Sequence, residues 1–388
     1  MNASPSHLET SLPVIVVGAG PIGIETAVHL SQSGFQVRMV DAGCVGATID
    51  WWARGTRWFS SNDRISIAGI PLDTVDQAKA SREEYLTYLR GIVRQFKLPV
   101  QTFTRVVDVQ PNGDASVNVL GQDSRHDNSE GAWKTSARAV VLATGGTDHA
   151  NRLGVPGEDL SHVDGYLRDV HRYFGRKVVI VGGRNSAVEA AIRLHRVGAD
   201  VSLVYHGPSL PNDSIKYWLR PEMEGLIQSG AIATYFDSRV IAIDESQVQI
   251  EVSRGDDSKT LCVAADDVLK LIGYYQDTRL WESLGIELSG DNRAPVFDPE
   301  TMLTNRPRIY VAGTAVGGTQ SSHYRIFVEN CHVHATRITQ HLLRCDPPKA
   351  VRPDEGKPER SSAVMPAHRS SHDPAAELAR RVGMMPES

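Results

Sequence analysis

The chain has 388 residues, of which 41% are hydrophobic and 22% charged, so it is long enough for two soluble globular domains. A formal net charge of −5 argues against nucleic acid or an anionic membrane surface as the main partner. No apolar run approaches the ~20 residues that span a bilayer. Residues 1–13 lack the basic stretch and apolar core of a signal peptide, so we expect a cytoplasmic protein.

The first glycine-rich motif lies within a predicted strand, tight turn, helix and second strand that cover residues 13–40. The apolar run Val14-Ile15-Val16-Val17 leads into Gly18-Ala19-Gly20-Pro21-Ile22-Gly23. Gly18 permits the turn, Gly20 lets the backbone approach a pyrophosphate, and Gly23 lets the helix pack against the sheet. The N-terminus of that helix offers free N–H groups to the phosphates. This motif therefore predicts a dinucleotide site.

The residue that ends the second predicted strand of this unit is Asp41. An acidic side chain at this place accepts hydrogen bonds from ribose hydroxyls, which suits a cofactor without a 2′-phosphate. The AMP half of FAD meets that requirement. We also include Val106 among the expected cofactor contacts.

Three later apolar strands also end in glycine, where the backbone must pass close to a flat or charged group. They end in Ala143-Thr144-Gly145, in Leu271-Ile272-Gly273 and in Ala312-Gly313-Thr314. In flavoproteins with two dinucleotides the last of these strands ends in Gly-Asp, and the Asp binds the ribityl chain. Here we expect the Thr314 hydroxyl or a backbone amide to replace it.

The helix after Thr314, with Ile326 to Ile338 as its body, is expected to point its positive N-terminal end at the flavin. His323, Tyr324 and Arg325 open it. They are candidates for protonation or substrate orientation, and a surface cap or salt bridge is the alternative.

The second glycine-rich motif is Gly182-Gly183-Arg184-Asn185-Ser186-Ala187, in a similar predicted unit at 176–205. Arg184 replaces the middle glycine. Either the side chain blocks binding, or it swings outward and adds charge to the phosphates while Ser186 caps the helix. We favour binding because the rest of the unit is intact.

The second strand of this unit ends in Tyr205-His206 without an acid, so nothing there repels a 2′-phosphate. Lys216 and Arg220 are close in sequence and offer positive charge. The pattern favours NADPH over NADH, although a surface role for His206 is an alternative.

The expected fold is α/β, with two Rossmann-like dinucleotide-binding domains of which the second is inserted into the first. The FAD-binding domain would cover residues 10–160 and 285–345, and the NAD(P)H-binding domain residues 165–280. Leu153-Gly154-Val155-Pro156-Gly157 predicts a hinge between them. The Pro-, Ser- and charge-rich residues 346–388 predict a disordered C-terminal tail.

The two-site plan with Ala143-Thr144-Gly145 resembles the thioredoxin-reductase-like flavoproteins, and most of all the bacillithiol-disulfide-reductase-like branch. The strings that carry this likeness are Phe59-Ser60-Ser61, the segment from Asp148-His149 to Gly157-Glu158-Asp159-Leu160, Gly182-Gly183-Arg184-Asn185-Ser186-Ala187, Ser214-Ile215-Lys216-Tyr217-Trp218 with Pro221-Glu222, and Ile326-Phe327-Val328-Glu329-Asn330. The resemblance covers residues 13–343. It implies FAD in the first domain, NADPH in the second, reduction of a small thiol disulfide, and a homo-oligomer.

One residue departs from that branch. Its members have a cysteine beside the flavin in Gly-Pro-Cys-Gly, whereas this chain has Ile22 there. The other cysteines, Cys44, Cys262, Cys331 and Cys345, form no Cys-x-x-Cys pair and have no metal-site spacing. We therefore expect free thiols, no metal, and reduced flavin that passes electrons directly to a bound acceptor.

Other functions fit parts of the pattern. A ferredoxin- or flavodoxin-type NADPH reductase also lacks cysteines and needs an exposed flavin edge and a charged patch. A flavin monooxygenase is disfavoured because segment 163–169 has Val163 and Asp169 where the Phe and His of its fingerprint belong. A flavin-based redox sensor is a non-enzymatic alternative. The aromatic residues Trp51, Trp52, Trp58 and Phe59 would either line the flavin face or pack in the core.

Overall fold

The structure is a computed structural model that describes residues 12–112, 115–125, 132–254, 257–319 and 325–348. His323 and Tyr324 lie outside the described residues, as does the predicted tail from 349 onward. The described chain up to Pro348 belongs to one compact unit. No helix among the described residues is long and apolar enough to cross a membrane.

The strands, in chain order, are β1 (Val14–Val17), β2 (Val37–Val40), β3 (Val100–Gln101), β4 (Thr104–Asn112), β5 (Ser116–Asp123), β6 (Trp133–Ala137), β7 (Ala139–Leu142), β8 (His149–Ala150), β9 (Val163–Asp164), β10 (Lys177–Val181), β11 (Asp200–Val204), β12 (Ala233–Tyr235), β13 (Ser238–Ile243), β14 (Gln247–Arg254), β15 (Asp257–Ala264), β16 (Asp267–Lys270), β17 (Tyr274–Tyr275), β18 (Leu288–Ser289), β19 (Ala294–Pro295) and β20 (Ile309–Val311).

The α-helices are α1 (Pro21–Gln32), α2 (Ala47–Asp50), α3 (Asn62–Ile65), α4 (Arg82–Gln95), α5 (Asn185–Arg196), α6 (Arg220–Gln228), α7 (Arg279–Ser283) and α8 (His332–Cys345). Short 3₁₀ helices cover Val170–Tyr173, Gly313–Gly317 and Val328–Asn330.

The first sheet has the order β20-β7-β1-β2-β3, and its strands are parallel. β1 lies in the middle, where Val14 pairs with Val37 on one side and Ala139 on the other. All four residues of β1 and of β7 are buried. Such continuous apolar strands are typical of parallel sheets covered on both faces, so the α/β prediction is confirmed.

The second sheet has the order β12-β11-β10-β16-β9 and is also parallel. Its central strand β10 leads into α5, as β1 leads into α1, so the two glycine-rich motifs occupy equivalent strand-to-helix turns. Two three-stranded antiparallel sheets, β4-β5-β6 and β13-β14-β15, accompany the parallel sheets.

Two short strands, β8 and β17, pair antiparallel where the chain passes between the parallel sheets. The predicted hinge lies after β8, and it is fastened to the second sheet. The buried Glu158 carboxylate accepts the N–H groups of Leu153 and Gly154 and pairs with Lys270 Nζ at 2.7 Å. A Cβ on Gly157 would lie 1.8 Å from the carbonyl oxygen of Ile243. The chain therefore passes between the two parallel sheets at β8 and β17 rather than at residues 153–157.

The described chain ends at the amino ends of β7 and β20. There Asp346, which the prediction assigns to the tail, accepts hydrogen bonds from Arg138 Nη1 at 2.9 Å and from Arg308 Nη1 at 2.8 Å. These ion pairs fix Asp346 to the edge of the first sheet that lies away from the glycine-rich turn.

Candidate cofactor sites

The first turn shows why glycine is required at two of its positions. Gly18 has φ of +110°, and a Cβ there would lie 2.2 Å from the carbonyl oxygen of Ala143. A Cβ on Gly23 would lie 2.1 Å from the carbonyl oxygen of Gly18, because α1 packs closely on β1. Gly20 has no heavy atom within 4 Å of its added Cβ, so the turn is open on this side. Pro21 is the first residue of α1, where its missing N–H costs nothing.

Asp41 holds the loop that faces this turn. Its Oδ2 accepts the N–H of Ala19 at 2.5 Å, and its Oδ1 accepts the N–H of Gly43 at 2.7 Å. Burial raises the pKa of the carboxyl, while these two N–H groups act in the opposite direction. β4 begins beside it, because the Thr104 N–H donates to the Asp41 carbonyl oxygen. Val106 of β4 is buried and lies two residues beyond Thr104, at a β-bulge.

The carboxyl ends of β7 and β20 lie next to the first turn. Gly145 has φ of +85°, and a Cβ there would lie 4.0 Å from Thr314 Oγ1. Gly313 has φ of +70°, and a Cβ there would lie 3.2 Å from the Cβ of the buried Ile22. The structure thus brings Ile22, Gly145, Gly313 and Thr314 together, although they come from three separate parts of the sequence.

Two buried side chains that the sequence reasoning missed hold these strand ends. His334 of α8 accepts the Gly313 N–H at Nδ1, at 3.1 Å, so its proton is on Nε2. Burial lowers the pKa of His334 to about 4, assisted by Arg337 and His332. Gln276 donates from Nε2 to the carbonyl oxygens of Gly145 and Ala315. No motif in the sequence marks either residue, because each acts on a strand end that is distant along the chain.

The residues of the first turn fit a dinucleotide such as FAD. The space beside Gly20 would admit a pyrophosphate, and α1 points its N-terminal N–H groups toward that space. The hydroxyl of Thr144 is buried and has no hydrogen-bond partner among the described residues, which a bound ligand would supply. FAD bound there would supply two-electron chemistry, and the protein's part is to position it.

The helix predicted at Ile326 to Ile338 begins later than expected. α8 starts at His332, and Phe327 is extended, with φ of −129° and ψ of 169°. The side chain of Asn330 accepts the Phe327 N–H and donates to the Arg325 carbonyl, which stabilises a turn instead of a helix. Arg325, a predicted helix-opening residue, therefore lies outside the helix.

The second turn is shaped by an aromatic ring. Gly182 has φ of +137°, and a Cβ there would lie 2.4 Å from the Leu271 carbonyl oxygen and 3.2 Å from the Cβ of Ala187. A Cβ on Gly183 would lie 2.5 Å from the ring of Tyr205, and one on Gly207 would lie 2.6 Å from the same ring. Tyr205 therefore fits between two glycines at the end of β11. Its ring centroid is 4.5 Å from that of His206, which is exposed.

Arg184 precedes α5 and is exposed, so its side chain does not fill the turn. The prediction that Ser186 caps the helix is wrong. α5 begins at Asn185, Arg184 is the N-cap without a side-chain cap bond, and Ser186 is the second residue of the helix. The reason is that the turn ends one residue earlier than the sequence pattern indicated. The N–H groups at the start of α5 are therefore left without that cap.

The loop before α6 is tied to this turn by Asn185, whose Oδ1 accepts the Lys216 N–H at 2.8 Å. The backbone of Lys216 thereby lies beside the start of α5, and its role at a phosphate stays a prediction. Arg220 is engaged elsewhere: its Nη1 pairs with Glu224 at 2.7 Å and its Nη2 donates to the Pro211 carbonyl at 2.6 Å. The Arg220 side chain thus pairs away from the turn, while the backbone of Lys216 lies beside it.

Gly273 lies on the passage between the sheets. It has φ of +95°, and its carbonyl oxygen accepts the Asn151 N–H at 3.0 Å. This fixes the segment after β16 against the segment after β8, near the turn that contains Gly182.

Contacts also join the second sheet's elements to the segment that carries the aromatic residues. Arg193 of α5 donates to Thr56 Oγ1 at 2.5 Å, and the Trp218 ring centroid lies 5.9 Å from that of Phe59. Trp52 and Trp58 instead pack on each other and on the core at 4.9 Å. The predicted aromatic group is therefore divided between core packing and contact with the second sheet.

The cysteines offer no thiol pair. Cys44, Cys262, Cys331 and Cys345 are all free. Cys331 is fully buried, and burial raises its pKa to about 12. Burial and the carboxylates of Asp50 and Asp41 raise the pKa of Cys44. Neither is a reactive thiolate at neutral pH.

Known proteins share this arrangement. The pattern of the pyridine nucleotide-disulphide oxidoreductases matches residues 15–313. The chain is 32% identical to bacilliredoxin reductase Bdr of Bacillus subtilis (strain 168) over 330 residues, 85% of this chain and 97% of the relative. Bacillithiol disulfide reductase Bdr from Staphylococcus aureus superimposes with a TM-score of 0.77 at 30% identity, covering 87% of this chain and 99% of that one.

A more distant relative is a ferredoxin–NADP reductase of Ignicoccus hospitalis, 27% identical over 303 residues, which are 77% of this chain and 88% of the relative. The resemblance predicted from the sequence is thus confirmed. Two parallel sheets, each with a glycine-rich turn, and these matches lead to one conclusion: the chain is an enzyme of the pyridine nucleotide-disulphide oxidoreductase family, which uses flavin and nicotinamide cofactors.

Proposed function

We propose that this enzyme oxidises NADPH, passes the electrons to FAD, and reduces a small disulfide. FAD would be held by residues 10–160 and 285–345, and NADPH by residues 165–280. The main support is the difference between the two turns. In the first, the Asp41 carboxylate accepts the Ala19 N–H, whereas beside the second the corresponding residue is Tyr205, which is not an acid. Each turnover would consume one NADPH and one proton and yield two thiols.

NADPH is proposed because of the side chains around the second turn. Arg184 and His206 are exposed, and the Lys216 backbone N–H donates to Asn185 Oδ1 at the start of α5. A cationic or neutral group at the end of β11 suits a 2′-phosphate, whereas an acid there would select NADH. Anaerobic stopped-flow reduction tests this directly. We expect NADPH to reduce the flavin at least tenfold more efficiently than NADH, and equal efficiency would contradict the proposal.

A small disulfide is proposed as the acceptor because two relatives are named for bacilliredoxin and for bacillithiol disulfide. With Ile22 packed against Gly313, electrons would pass from reduced flavin to the bound disulfide without a protein thiol. The test is NADPH oxidation with a panel of low-molecular-weight disulfides, with free thiol measured as product. Reduction of the flavin by NADPH without thiol formation from any of them would reject this acceptor class.

The absence of a thiol relay has its own test. A variant with Cys44→Ser, Cys262→Ser, Cys331→Ala and Cys345→Ser should keep its NADPH-dependent disulfide reductase activity within about twofold. The reason is that the pKa values of Cys44 and Cys331 are raised, and that Cys262 and Cys345 are exposed thiols without a partner thiol among the described residues. Loss of thiol formation with flavin reduction unchanged would show that a cysteine takes part.

A ferredoxin-type NADPH reductase is the second candidate function. Ile22 favours it, because a one-electron protein acceptor needs no thiol beside the flavin, and one relative carries that name. Reduction of a ferredoxin or flavodoxin by NADPH, with no activity on disulfides, would select it.

We further propose a cytoplasmic homo-oligomer, which light scattering of the purified protein and localisation of the tagged chain would test.

A further inference from the structure

Gln276 occupies a junction in the fold. It directly follows β17, the strand by which the chain returns from the second sheet, and it is only 3% exposed. Its own N–H donates to Thr319 Oγ1 at 3.2 Å. A long polar side chain this deeply buried requires partners for both its amide nitrogen and its amide oxygen.

The amide nitrogen of Gln276 has two partners. Nε2 donates to the Gly145 carbonyl oxygen at 2.9 Å and to the Ala315 carbonyl oxygen at 3.2 Å. Gly145 follows β7, and Ala315 lies in the 3₁₀ turn that follows β20. One side chain therefore spans two strand ends, at the edge where open α/β sheets bind their ligands.

The amide oxygen of Gln276 has no such partner among the described residues. This atom, Oε1, is buried. Thr144, which precedes Gly145, carries a second buried oxygen in the same condition. Two such atoms around one strand end indicate that a ligand completes this part of the site, because a buried polar atom without a partner is costly.

We propose that Gln276 is a flavin-binding and positioning residue: its Oε1 accepts a hydrogen bond from a donor group of FAD, while its Nε2 sets the spacing of the two strand ends. The proposal rests on FAD as the cofactor of the first turn. The proposed role also connects the flavin site to the second sheet, because Gln276 directly follows β17, the strand by which the chain returns from that sheet.

Glutamine is suited to this role by having a donor and an acceptor on one rigid group. Leucine would remove both and leave two buried carbonyl oxygens. A deprotonated glutamate would turn a carboxylate toward the carbonyls of Gly145 and Ala315, whereas a protonated one donates to one of them and still offers an acceptor.

The experiment measures FAD dissociation constants for the full chain after flavin removal and reconstitution. Gln276→Leu should weaken FAD binding about tenfold or more, the factor that corresponds to about 1.4 kcal/mol. The control is Gln249→Leu. Gln249 lies on β14 and its Nε2 donates to Asp244 Oδ2, so this substitution should leave FAD affinity unchanged. The flavin absorption spectrum and midpoint potential should shift in Gln276→Leu and stay the same in the control.

A second variant keeps the proposal testable if Gln276→Leu fails to fold. Gln276→Glu should bind FAD more tightly as the pH falls, because its carboxyl donates only when it is protonated. A purely structural residue would lower the stability of the flavin-free protein while FAD affinity, spectrum and potential stay unchanged, and that result would overturn the proposal. Wild-type protein that binds no FAD at all would instead reject the proposed function on which it rests.

Discussion

The two glycine-rich turns share a backbone plan and differ in what stands opposite them. In the first, Gly20 opens onto free space and the Asp41 carboxylate is held by the N–H groups of Ala19 and Gly43. In the second, Arg184 takes the equivalent place with its side chain exposed, and the Tyr205 ring fills the space beside Gly183.

This difference separates what makes a dinucleotide turn from what selects the dinucleotide. In both turns the first glycine has a positive φ, and a Cβ on it would clash with the carbonyl oxygen of the residue that follows a neighbouring strand, Ala143 for Gly18 and Leu271 for Gly182. That contact belongs to the strand-to-helix geometry and is independent of the cofactor. We propose that the residue that follows each second strand, Asp41 after β2 and Tyr205 after β11, lies at the ribose and selects the cofactor.

The largest expected effect comes from breaking the geometry of the first turn. Gly23→Ala should destabilise the fold by about 3 kcal/mol or more, because its Cβ would lie 2.1 Å from the Gly18 carbonyl oxygen and α1 would have to move. Chemical denaturation of the flavin-free protein measures this.

Gly20→Ala is the matched control for that variant. Its Cβ meets no atom within 4 Å, so the flavin-free stability should change little while FAD affinity falls, because the methyl group enters the space proposed for the pyrophosphate. A Gly23→Ala protein as stable as Gly20→Ala would contradict the packing argument.

The second turn can be converted toward the chemistry of the first. His206→Glu places an acid at the exposed end of β11, so KM for NADPH should rise about tenfold or more while KM for NADH changes little or falls. Arg184→Ala should raise KM for NADPH with a smaller effect on kcat. Steady-state kinetics with both nucleotides checks these shifts. Equal changes for NADPH and NADH would show that His206 does not meet the 2′-phosphate.

A smaller effect concerns the histidine that supports Gly313. The pKa of His334 is about 4, below its ordinary value of 6.5, so His334 is neutral in the folded protein at pH 7. Its contribution to stability is complete above pH 6.5 and is lost as the pH falls toward 4, because protonation is easier in the unfolded chain. Denaturation at pH 7 and pH 4.5 should show this loss in the wild type.

His334→Asn retains an acceptor for the Gly313 N–H and does not titrate, so it should lose less stability than the wild type over the same pH interval. The neighbouring His332, whose pKa is raised by Glu25, titrates in both proteins, and the difference between them isolates His334. An identical pH dependence in the two proteins would contradict the assignment.

The sequence was sufficient for the features that depend on local pattern. Glycines after buried apolar runs predicted both strand-to-helix turns, whereas the ribose chemistry expected from Asp41 and Tyr205 stays a prediction. Local pattern was insufficient at helix ends. Ser186 is not the cap of α5, and α8 begins at His332, because a side-chain bond from Asn330 competes with helix formation there.

What the sequence by itself determined is therefore the pair of dinucleotide turns and their likeness to one family of reductases. The tertiary structure decided which distant side chains complete the first site. Gln276 reaches Gly145 across 131 positions of sequence, and His334 reaches Gly313 across 21. The physical reason is that buried backbone groups at strand ends need partners, and the partner is supplied by whichever element packs there, at a distance that no local pattern encodes.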